Sequence, residues 1–206
     1  MADSASEQTD IAIDYFKQWQ FNLTTKGLPV LSKSSFEGPA NRNFWLKNKE
    51  PRKFLQYERQ SVGINLGWTD DAEPSTGQRV ARWFVNRKTD ADGRIRYGDS
   101  VALGYGKSPS FIRYAEREFG INLDWSKFQV FEWKLLGGPI GDEVKTGEYL
   151  AIYDEKAKEP MVYFDRTAGG DIGWPSSKTW GKQLEEKVVD AVKEYGPKAV
   201  AAMLAA

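Results

Sequence analysis

FLQYERQSVGINLGW, residues 54–68, is written twice more along the chain, as FIRYAEREFGINLDW at 111–125 and PMVYFDRTAGGDIGW at 160–174. Aligned on the last residue, each stretch places a Tyr eleven residues before a Trp: Tyr57 and Trp68, Tyr114 and Trp125, Tyr163 and Trp174. Eleven residues before each Tyr stands a large aliphatic residue, Leu46, Leu103 or Ile152, and two before that another apolar one, Phe44, Val101 or Leu150. Self-similarity at a fixed period marks a chain built from equivalent units, each too small to bury its own apolar face.

Within the units the pattern is that of strands. FLQY, FIRY, the alternation Ile64, Leu66, Trp68 and the run FVNRK have period two and aromatic or branched character. Turn signals separate them at KEP, KTDADG, GKSPS, LGGP and KTGE. Trp68 is followed by Trp83 after fifteen residues and Trp125 by Trp133 after eight, whereas the distances onward to Leu103 and Ile152 are twenty and nineteen. The difference falls in TDDAEPSTG, 69–77, whose Pro, Gly and acidic residues suit a surface insertion. Three units of about four short strands predict an all-β fold closed on itself, which removes sheet edges.

The pattern x-L … (K/S)-F-(L/I)-x-Y … G-I-x-L resembles strands one to three of the fascin-like and amaranthin-like agglutinin members of the β-trefoil superfamily. The resemblance covers residues 41–180 and lacks the Q-x-W signature of other trefoil lectins. It implies a β-trefoil with three pseudo-repeats, and a glycan or glycoprotein as the ligand.

The flanks read differently. Ile11, Tyr15 and Trp19 follow a polar start at helical spacing, which predicts an N-terminal helix and, to residue 40, a linker docking on the barrel. Residues 181–206 place Leu184, Val188, Ala191, Val192 and Tyr195 on one stripe opposite mixed charges, predicting an amphipathic C-terminal helix. The expected organisation is therefore 1–40 helix and linker, 41–180 trefoil and 181–206 helical segment. The terminal helices are candidates for packing on the barrel, for homo-oligomer formation or for a partner.

Composition excludes much chemistry. Lys and Arg number 29, as do Asp and Glu, without blocks of like charge, so the basic footprint of a nucleic-acid binder is absent. Cysteine and histidine are both missing, which removes disulfides, thiolate metal sites and every Ser-His or Cys-His nucleophile. No run of 18 apolar residues predicts a membrane span, and MADSASEQTD lacks the basic and apolar regions of a secretory leader. The expectation is a cytoplasmic protein, or one released without a signal peptide, needing no cofactor or metal.

LGYGKS lacks the first Gly of a phosphate loop, because Val101 stands there. TDADGR starts like a calcium loop, but Arg94 and Val101 occupy ligand positions, so both fragments read as hairpin turns. Carboxylate pairs such as Glu58 with Glu116, or Asp70 with Asp71, carry no spacing that specifies a reaction. Strand parity sends the Tyr and Trp ladder into the core with the aliphatics and leaves Asn65, Asn122 and Asp171 pointing outward, with Asp124 beside the second. Those four are the expected ligand contacts, hydrogen-bonding sugar hydroxyls, against the plainer role of closing a hairpin turn. The expected function is non-enzymatic carbohydrate recognition. The alternatives are a toxin-like protein with a receptor-binding trefoil and a mobile terminal helix, or an inhibitor or cytoskeletal binder acting through loop 69–77.

Overall fold

Trp19, Trp83 and Trp133 each open a strand, and the architecture follows from what those three indoles do. The computed structural model describes residues 14–23, 26–31, 43–61, 63–69, 83–89, 92–106, 110–117, 120–163 and 171–175. Twelve strands form one antiparallel sheet: β1 Trp19–Asn22, β2 Trp45–Asn48, β3 Phe54–Gln56, β4 Gly67–Trp68, β5 Trp83–Arg87, β6 Ser100–Tyr105, β7 Ser110–Tyr114, β8 Leu123–Ser126, β9 Trp133–Leu136, β10 Tyr149–Asp154, β11 Glu159–Tyr163 and β12 Ile172–Gly173. The all-β class is as expected. The expected C-terminal helix and the 70–77 part of the inserted loop lie outside the described residues.

One connection occurs three times. β1 pairs with β2, β2 with β3 and β3 with β4, and the same chain of antiparallel pairs runs from β5 to β8 and from β9 to β12. Between quartets, β10 pairs with β1 through Trp19 and Leu150, and β6 with β9 through Val101 and Trp133. The matching bridge joins Phe44 to Trp83, with backbone N–H···O bonds of 2.8 and 3.2 Å in the two directions. The pairing path β1–β2–β5–β6–β9–β10 thus returns to its start, and β3–β4, β7–β8 and β11–β12 hang from it as hairpins.

The interior follows the ladder. Leu46, Leu103 and Ile152 are fully buried, as are Leu55, Ile112 and Met161 on the third strand of each quartet. The opening tryptophans are also buried, and each donates its Nε1–H to the neighbouring quartet: Trp19 to the Met161 carbonyl at 2.6 Å, Trp83 to Leu55 at 2.6 Å, Trp133 to Ile112 at 2.9 Å. Each bond satisfies a buried donor and stitches successive units together, so burial costs no orphaned N–H. Against these rings pack Trp68, Trp125 and Trp174, at centroid distances of 6.1, 6.4 and 6.3 Å. Tyr163, Tyr57 and Tyr114 of the preceding quartet complete each group at 5.7, 6.3 and 5.8 Å.

Two sequence expectations need correction. Trp19 is not the end of a helix: among the described residues helix occupies 14–16, and Trp19–Asn22 alternates buried and half-buried while pairing on both sides. Spacing alone suits either period in so short a run, and two ladder partners decide for the strand. The sheet consequently begins ahead of residue 41. Of the Tyr ladder, Tyr57 does not turn inward with Leu55, because it lies one residue beyond the end of β3 and is 49% exposed, whereas Tyr114 and Tyr163 close β7 and β11 half-buried, Tyr114 packing against the core. The tryptophans do belong to the core or pack against it.

The loops opening each quartet meet at one end of the ring. Val30 N–H donates to Val144 O at 2.8 Å, Val144 N–H to Ile95 O at 3.0 Å, and Ile95 N–H to Val30 O at 3.0 Å. All three side chains are fully buried, so a closed triangle of backbone bonds plugs that end with branched apolar residues. The described part of the expected linker, 26–31, is therefore in the first copy of this loop. Val30 stands fourteen residues before Phe44, where Ile95 and Val144 stand six before Val101 and Leu150, so eight extra residues conceal the correspondence.

Candidate functional site

An open groove of about 570 Å³ lies beside this plug, between the end of β9 and the start of β10. Its floor is Tyr97, buried, with the Gly137–Gly138 backbone laid against it. A Cβ at Gly138 would lie 2.3 Å from the Tyr97 ring, so only glycine permits that approach. Tyr97 N–H donates to Asp142 O at 2.9 Å and Gly141 N–H to Tyr97 O at 3.0 Å, which hold the 137–142 turn over the ring.

The polar groups converge from both sides. Tyr97 OH donates to Glu148 Oε2 at 3.3 Å. Burial, reinforced by the Glu148 charge, pushes the phenol up to about 12, so it remains a donor at neutral pH. Glu143 is neutralised by Arg94 at 2.9 Å. Asp142 and Lys145 are exposed, and neither has a salt-bridge partner among the described residues. Tyr149, 40% exposed, forms the far wall. It is also a wall of a second cleft, of about 600 Å³, whose other residues are Lys47, Lys49, Glu50 and Arg52. Carboxylate acceptors, an ammonium donor and the exposed Tyr149 ring in an open groove suit a ligand rich in hydroxyls.

The residues expected from sequence lie elsewhere, one hairpin at a time. Asn65 Oδ1 accepts from Gln60 N at 3.0 Å and its amide donates to Tyr57 OH at 3.0 Å; Asn122 repeats this with Arg117 N at 3.1 Å and Tyr114 OH at 3.4 Å. Asp171 stands at the matching position immediately before β12. Asp124 pairs with Arg113 at 3.0 Å and Arg117 at 3.1 Å; burial works to raise its carboxyl, and the arginines with the Trp125 N–H hold it below the ordinary value. These four residues occupy two hairpins and the start of a third strand rather than one shared pocket. Replacing Asn122 by Ala removes both loop contacts and is expected to cost about 1–2 kcal/mol in urea unfolding. An unchanged midpoint would show that the hairpin does not depend on them.

Of the other fragments, LGYGKS is described to Gly106, its first three residues ending β6, and TDADGR is described at Thr89 and from Asp92, where it turns. Asp92 Oδ1 accepts Arg94 N at 3.1 Å, and its carboxylate pairs with Arg87 and Arg96. Among the described residues no group of three or more Asp or Glu is arranged to hold a metal ion, and no helix is long and apolar enough to cross a membrane. Glu58 and Glu116 are exposed beyond the ends of β3 and β7, on different hairpins, and Asp70 and Asp71 fall outside the described residues.

The groove residues were hidden in the sequence because KTGE and LGGP read only as turns. A signal was available. RIRYGDSVAL, 94–103, aligns with EVKTGEYLAI, 143–152, and Tyr149 falls where the earlier copy has Ser100, a large aromatic in place of a small residue. Comparison with family models, curated proteins and solved structures found no match.

Proposed function

We propose that this chain is a β-trefoil recognition domain that binds carbohydrate in the Tyr97–Tyr149 groove and carries out no reaction there. The trefoil reading is supported by the thrice-repeated strand connection, by the three equivalent Trp-to-carbonyl bonds and by the three-loop plug. The observation that carries the ligand reading is the groove itself: an exposed Tyr149 ring lining it with Asp142, Glu148 and Lys145, beside the bonded Val30–Ile95–Val144 plug. Sugars present apolar C–H faces to aromatic rings and hydroxyls to carboxylates and ammonium groups, and this groove offers both surfaces. Asp154, whose carboxyl burial raises to about 6, lines neither cleft.

A glycan array read with the full chain tests the proposal. Tyr149→Ala is expected to weaken the best ligand about tenfold or more, as loss of an aromatic anchor does. No glycan bound, or binding indifferent to this change, sinks the groove. Loss of binding in Asn65→Ala, Asn122→Ala, Asp124→Ala or Asp171→Ala, with Tyr149→Ala unaffected, moves the site to the hairpins.

A further inference from the structure

We infer that the groove continues past Tyr149 into an anion-binding subsite, so that the preferred ligand is a glycan carrying a sulfate, phosphate or carboxylate substituent. This rests on the carbohydrate reading above and deepens it. The starting observation is a charge imbalance in the second cleft. Lys49 is committed, donating to the Asp14 carbonyl at 2.6 Å and pairing with its carboxylate at 3.6 Å. Lys47 has no carboxylate partner among the described residues, and its ammonium lies 5.4 Å from the centroid of the Phe54 ring. Arg52 is exposed and has neither a hydrogen-bond nor an ion-pair partner among the described residues. With Lys49 paired to Asp14, the described lining sets Lys47 and Arg52 against the single carboxylate of Glu50, an excess of positive charge.

The fold does not account for Arg52. It holds φ 57°, and Lys158 holds φ 62° at the corresponding position between β10 and β11. Asn48 Oδ1 accepts Glu50 N at 3.0 Å in the first turn, as Asp154 Oδ1 accepts Lys156 N at 2.8 Å in the second. The turn therefore asks for a left-handed residue, which glycine supplies at least cost, and gives no reason for a guanidinium. A planar guanidinium beside an ammonium is the pairing that reads a tetrahedral or planar oxyanion. Because Tyr149 walls both clefts, one ligand can rest a ring on it and direct its charged substituent toward Lys47 and Arg52.

The turn geometry also supplies a clean variant. Arg52→Gly removes the cation while relieving the backbone, so the protein should fold at least as well as the parent. The experiment titrates the full chain, Arg52→Gly and Lys47→Gln calorimetrically with a sulfated glucosamine–uronate disaccharide, with the same sugar lacking sulfate, and with inorganic sulfate. The sulfated sugar should bind about tenfold tighter than its unsulfated form at low salt, an advantage that shrinks as salt rises. Arg52→Gly should erase most of that advantage, Lys47→Gln part of it, and neither should weaken the unsulfated sugar.

Equal affinity for the two sugars, with binding still lost in Tyr149→Ala, overturns the subsite and leaves the carbohydrate reading standing. Binding of neither sugar overturns both. Inorganic sulfate binding as tightly as the sulfated sugar reduces the cleft to a general anion site and overturns the glycan assignment. A change of oligomeric state in Arg52→Gly, seen by sedimentation without a change in sugar affinity, makes the cleft an interface between copies and overturns it too.

Discussion

Replacing Trp133 by alanine should destabilise the fold by about 3–5 kcal/mol, the range for truncating a large buried aromatic. Two losses combine. The indole is fully buried in the core, and its Nε1–H is the donor to Ile112 O of the preceding quartet. Trp133→Phe separates them, because it keeps most of the apolar volume and strands a buried carbonyl, at a cost of about 1–3 kcal/mol. Trp174→Phe is the matched comparison. Among the described residues the Trp174 indole N–H is buried without an acceptor, as are those of Trp68 and Trp125, so removing it is expected to forfeit packing alone, about 1.5 kcal/mol or less. Urea midpoints of the three variants check the ordering. Equal costs for Trp133→Phe and Trp174→Phe would mean that the cross-quartet bond contributes nothing net.

Asp154→Asn should stabilise the protein by up to about 3 kcal/mol above pH 6 and have little effect near pH 4. Asp154 is fully buried, and burial pushes its carboxyl up to about 6, opposed by the Lys156 and Ala157 N–H groups and assisted by the charge of Glu132. A folded-state value above the unfolded one means that the native state binds the proton more tightly. Stability from this group is complete below the unfolded value, declines as pH rises from about 4 to about 6, and is fully lost above. The charges around it are Glu132, buried and paired with Lys156 at 2.5 Å, and Lys156 itself. Asn cannot ionise, and its carbonyl can still accept the turn N–H groups as Asn48 does in the equivalent turn. The check is chemical denaturation across pH 4 to 8. A variant no more stable than the parent at pH 7.5 would show that Asp154 ionises at little cost.

The ladder residues were legible because a strand writes burial with period two and an equivalent unit must write it again. Leu46, Leu103, Ile152 and their neighbours could be placed in one core from spacing alone. Trp19 was less so. Trp19-Gln20-Phe21 matches Trp83-Phe84-Val85 and Trp133-Lys134-Leu135, but the eight extra residues after Val30 break the register that would have joined it to the series. Asn65 and Asn122 were legible as a recurring polar position, and their turn-closing bonds are local enough that the sequence offered that role beside the ligand role.

The sequence by itself determined the all-β class, the repeated apolar positions such as Leu46, Leu103 and Ile152, and the side-chain chemistry removed by the lack of histidine and cysteine. These depend on short-range periodicity and on side-chain inventory, both written locally. Tertiary structure alone decided that Val30, Ile95 and Val144 meet in one triangle, that Tyr97 lies under Gly138, and that Lys47 and Arg52 share a wall with Asp142 and Glu148 through Tyr149. Lys47 and Tyr149 are brought together by the pairing of β1 with both β2 and β10, with Gln20 opposite each of them. Contacts of that kind depend on which strands become neighbours when the ring closes, and no local period encodes the neighbour.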